Sequence, residues 1–87
     1  MELQLNKQFL GLDGKPMEGQ TVGQFLAQAL ASATKGDSLK YWGWATKLYA
    51  GEALTLDASD SETMKSFVRE NEGLTALAKA QILEELK

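Results

Sequence analysis

The segment Asp57-Ala58-Ser59-Asp60-Ser61-Glu62 gathers three carboxylates and two hydroxyls into six residues. Oxygen donors at such spacing are what a hard cation such as calcium requires. The twelve-position calcium loop, with its central glycine and closing bidentate glutamate, is nevertheless missing. Helix capping explains the same residues better. Asp57 and Ser59 are alternative N-caps, Ser59 with Glu62 makes a capping box, and Asp60 adds negative charge at the positive helix end.

Other chemistry is excluded by what the chain lacks. It contains no histidine and no cysteine, which removes imidazole bases, thiolate nucleophiles, disulfides and the usual zinc ligands. Serine and threonine hydroxyls have no imidazole to activate them, and Gly11, Gly14, Gly19 and Gly23 belong to no phosphate-binding motif. No catalytic, cofactor-binding or metal-ligating residue is assigned, and a non-enzymatic protein is expected.

A second concentration of residues concerns binding. Residues 41–49, YWGWATKLY, hold both tryptophans and both tyrosines of the chain. Aromatic side chains bury large areas, and a small domain needs them as core. On a wheel of about 100° per residue, Tyr41, Trp42, Ala45, Leu48 and Tyr49 share an arc of about 120° that reads as the inward stripe. Trp44 falls at the edge of that arc, beside Lys40 and Lys47 and next to Gly43. A border tryptophan beside a glycine is a common interface anchor, so Trp44, Tyr41, Lys40 and Lys47 are candidate partner-binding residues.

The elements that must position these residues follow from periodicity. Residues 1–19 carry Leu3, Leu5 and Phe9 in extended alternation, and Asp13-Gly14 signals a type I′ turn, so a hairpin or extended arm is expected. Pro16 cannot donate to a ladder, so the returning strand should be short or at an edge. Thr21 and Gln24 form a capping box ahead of Val22, Phe25, Leu26, Ala29, Leu30 and Ala33, which predicts a helix over 22–35 with Gly36 as its C′ residue. Asp37 caps a second helix over 38–50, closed by Gly51.

Leu54 and Leu56 anchor a connector, and Met64, Phe67 and Val68 face inward from a third helix over 60–71. The fourth, over 74–86, carries apolar residues around much of its circumference. Leu77 and Leu83 are therefore candidates for a surface shared with a partner, and with Ala80 they could pair two copies into a weak dimer. The expected fold is α+β but mainly α: one domain, with an N-terminal β-hairpin or arm packed on about four short helices.

Composition narrows the partners. The 87 residues carry a net charge of −3, which leaves no cation excess to bind a phosphate backbone. A nucleic-acid role would have to rest on Lys35, Lys40 and Lys47 and is disfavoured. No stretch approaches the ~18 apolar residues of a membrane span, and the start MELQLNKQF is unlike a signal peptide. A cytoplasmic monomer or weak homodimer is expected.

The segments LNKQFLGLDGKPM, TVGQFLAQALA, KGDSLKYWGWATKLYAGE and LTALAKAQILEEL, in that order, resemble a group of small proteins encoded by phages and prophages. The likeness spans nearly the whole chain. It implies a setting, the bacterial host cell or the virion, and a protein partner from phage or host; it carries over no activity and no functional residue.

Overall fold

The computed structural model describes residues 2–34 and 36–86. Strand β1 (Glu2–Leu3) is followed by β2 (Gln8–Leu10), β3 (Pro16–Thr21), helix α1 (Val22–Ala31), helix α2 (Ser38–Tyr49), β4 (Leu54–Thr55), helix α3 (Ala58–Glu70) and helix α4 (Ala76–Glu85). The architecture is the α+β, mainly helical one expected, with four helices and a small hairpin.

The hairpin pairs β2 with β3, antiparallel. Its turn departs from the type I′ expectation. Asp13 keeps a negative φ, because only glycines among the described residues have a positive one. The Gly14 N–H closes onto Gly11 O at 3.0 Å and the Gly11 N–H onto Lys15 O at 2.9 Å. That is a type I turn whose last residue, Gly14 at φ 79°, supplies the left-handed step of a bulge. The longer loop arises because Asp13 is spared a strained conformation.

The arm also makes a contact that periodicity alone does not forecast. Leu3 lies opposite Leu54 and Glu2 opposite Thr55, so the connector after α2 becomes a short antiparallel strand. Leu3, Leu5, Leu54 and Leu56 are all buried in the core. The Gly23 N–H donates to Leu5 O at 2.9 Å and the Val22 N–H to Lys7 O at 2.7 Å, which fixes the arm against the start of α1.

Cap chemistry sets most helix ends. At α1 both halves of the Thr21–Gln24 capping box form, with bonds of 3.1 and 3.2 Å. The helix ends at Ala31, earlier than expected, and Lys35 lies outside the described residues. Asp37 caps α2 through the Lys40 N–H. At its other end Glu52 N–H bonds Lys47 O and Gly51 N–H bonds Leu48 O, a Schellman motif in which Gly51 takes φ 84°. Asp57, not Ser59, caps α3, accepting from the Asp60 N–H at 2.7 Å. Helix α4 starts two residues later than expected, because Thr75 accepts from the Ala78 N–H.

One buried cluster joins these elements: Leu26 and Leu30 of α1, Leu48 of α2, Met64 and Val68 of α3, and Ile82 of α4 all contribute, together with Phe9 of the hairpin. Phe9 meets Phe25 edge-on at 5.4 Å between ring centroids. Burial of large side chains at about 1.5–3 kcal/mol each is what offsets chain entropy in so short a protein.

Candidate functional site

Helix α2 presents its aromatic residues on two faces. The inward face holds Tyr41, Trp44, Ala45 and Leu48, at the i, i+3, i+4, i+7 spacing of a helix packed against neighbours. Trp44 is only 8% exposed. Its ring stacks on Tyr41 with centroids 5.8 Å apart and planes at 24°. Tyr41 in turn meets Phe67 of α3 edge-on at 5.3 Å.

This corrects the wheel reading, which placed Trp42 inward and Trp44 at the rim. Both arcs contain Tyr41, Ala45 and Leu48, so α2 alone cannot choose between them. The side on which α3 docks decides: Phe67 packs on Tyr41, and Asp60 takes the ammonium of Lys40 at 2.8 Å. The inward stripe is thereby turned toward Trp44. Lys40 Nζ also lies 5.8 Å from the Trp44 ring centroid, a cation–π distance.

Lys40 holds its proton to higher pH than an ordinary lysine. The hydrogen bond to Asp60 is the main cause and the charge of Asp60 the next; some desolvation opposes them, and Asp37 and Asp57 add weakly. Lys40 is therefore engaged within the fold.

The outward face of α2 carries Leu39, Trp42, Thr46 and Tyr49, within an arc of about 80°. Leu39 is 84% exposed, Trp42 61% and Tyr49 55%. Between this stripe and α1 runs a shallow trough of about 330 Å³, to which Ala27, Ala31 and Ala45 contribute small side chains. Helix α1 has no charged residue, and neither does the outward stripe of α2. The result is an uncharged, aromatic-rimmed surface. Its signal in the sequence was Leu39, which extends Trp42, Thr46 and Tyr49 to the spacing i, i+3, i+7, i+10.

The other candidate residues are dispersed. Lys47 is exposed. Leu77 and Leu83 are half-buried and pack against the core. Helix α4 is also held by polar contacts on several sides. Gln81 bonds the backbone of Leu10, Lys79 Nζ donates to Arg69 O at 3.1 Å, and Glu85 pairs with Lys7.

The acidic segment is similarly engaged. Asp57 caps α3, Asp60 binds Lys40, Ser61 is buried, and Glu62 lies 3.4 Å from Lys65. Among the described residues no three His, Cys, Asp or Glu side chains are grouped to hold a metal ion. No helix among them is long and apolar enough to cross a membrane. A scan of protein-family models found no match to the chain, and neither did comparisons with curated proteins and with solved structures.

Proposed function

We propose that the protein is a non-enzymatic, phage- or prophage-derived interaction module that docks a phage or host protein through the outward face of α2 and the adjoining edge of α1. The observation that carries this reading is the exposure of Trp42 and Tyr49 beside an uncharged trough. A single exposed apolar residue is ordinary. Three large ones on one arc, joined to a hollow lined by alanines, form a contiguous patch of the kind that marks an interaction site.

Tryptophan and tyrosine are the residue types that most often dominate interface energetics, and charge is depleted at interface centres. The partner surface is accordingly apolar at its centre. The setting is the host cytoplasm or the particle assembled there, as the resemblance to phage proteins suggests. A nucleic-acid partner is less well supported, because Lys40 is committed to Asp60 and the net charge is −3.

The test is binding to the purified partner, once co-purification has named it, by wild type, Trp42→Gln and Tyr49→Gln. Affinity should fall at least tenfold in each variant and change little between low and moderate salt. A steep loss with salt would point to phosphate or other charged contacts instead.

A further inference from the structure

A larger groove lies between α1 and α3 and meets the trough at Gln28, which lines both. It has a volume of about 1200 Å³. Phe25, Tyr41 and Phe67 contribute aromatic rings to its lining, all half-buried. Ser59, Thr63 and Ser66 line it from α3, spaced so that their side chains share one helix face. Rings from three helices and hydroxyls from α3 thus line one groove.

Among the described residues the charge of the lining is one-sided. Glu62, Glu70 and Glu72 contribute to it, and none of the described lining residues is lysine or arginine. Glu62 is loosely paired with Lys65 at 3.4 Å, whereas Glu70 and Glu72 have no ion pair among the described residues. Aromatic faces beside carboxylates attract a cation twice, through the ring quadrupole and through charge. They repel a phosphate for the same reasons.

We infer that this groove is a second docking site, separate from the outward face of α2, and that its occupant is a short helical segment of a partner protein presenting lysine or arginine among apolar side chains. The size fits. A helix about 10 Å across that rises 1.5 Å per residue fills 1200 Å³ with roughly two to three turns. Apolar side chains of that segment cover Phe25 and Phe67, and its cations meet Glu70 and Glu72 at the rim. This is helix-in-groove recognition with a charge code that rejects acidic segments.

The probe is a fluorescein-labelled amphipathic peptide of leucine and lysine, about four turns long, read by fluorescence anisotropy beside a twin with glutamate for every lysine. Wild type should bind the lysine peptide and not its twin. Glu70→Lys with Glu72→Lys should weaken binding at least tenfold. Ser66→Trp, which fills the groove at an exposed position without changing charge, should weaken it as much, and circular dichroism checks that each variant folds. Trp42→Gln should leave it unchanged. Failure of wild type to bind the lysine peptide, equal binding of the glutamate twin, or full binding by Ser66→Trp would each overturn the proposal.

Discussion

The side-chain amide of Gln81 bonds both backbone groups of Leu10: its Oε1 accepts from the Leu10 N–H at 2.8 Å, and its Nε2 donates to the Leu10 carbonyl at 2.6 Å. One amide thus does for β2 what a neighbouring strand would do, and it covers an edge that otherwise invites intermolecular pairing. Through it the hairpin is tied to α4 across 71 positions of sequence.

Replacing Gln81 by Leu should cost about 1–2 kcal/mol, since two backbone bonds lose their partner at a partly exposed site. Amide exchange at Leu10 is the specific readout. It should speed up far more than exchange in α1, whereas a uniform change would mean that the pair merely adds to global stability.

Trp44 and Trp42 should behave oppositely when truncated. Trp44→Ala opens a cavity beneath Tyr41 and should cost about 3–5 kcal/mol, enough to unfold much of so small a domain. Trp42→Ala should shift stability by no more than about 0.5 kcal/mol. Urea melts of the two variants decide it.

Two glycines in and after α2 should also separate. A Cβ at Gly43 meets nothing within 4 Å, so Gly43→Ala should stabilise by about 0.5–1 kcal/mol through helix propensity. Gly51 sits at φ 84°, where alanine is strained, and Gly51→Ala should destabilise by about 1 kcal/mol. Paired thermal melts would show shifts of opposite sign.

The Lys40–Asp60 pair predicts a pH dependence. The folded-state pKa of Lys40 is raised above its ordinary 10.5, chiefly by the bond to Asp60. Its contribution is therefore fully present below that ordinary value and is lost as pH rises through the raised one. The difference in melting temperature between wild type and Lys40→Met should be steady near neutral pH and shrink in alkali. A difference that persisted above the raised value would assign it to the lysine stem lying near Trp44.

The elements were legible in sequence where a local device specifies them: the Thr21–Gln24 box, the caps at Asp37 and Asp57, and the Gly51 terminus each leave a mark within a few residues. The pairing of Leu3 with Leu54 was not, because it joins two short segments about fifty residues apart that pattern alone leaves extended. The exchange of Trp42 and Trp44 was hidden for a related reason. An amphipathic helix with two overlapping apolar arcs takes its orientation from the neighbour, and Phe67 and Asp60 lie on a helix whose docking side no periodicity of α2 reports. The sequence marks YWGWATKLY as an aromatic helix segment; which of its faces is free is a tertiary fact.

Trp42 is proposed to anchor a partner. The direct measurement is the affinity of that partner, identified by co-purification from a host carrying the native gene neighbourhood and then purified, for wild type and for Trp42→Gln with matched thermal melts. At least a tenfold loss on substitution, with no change in melting temperature, is expected. Unchanged affinity, or no specific partner retained by the wild type, would contradict it.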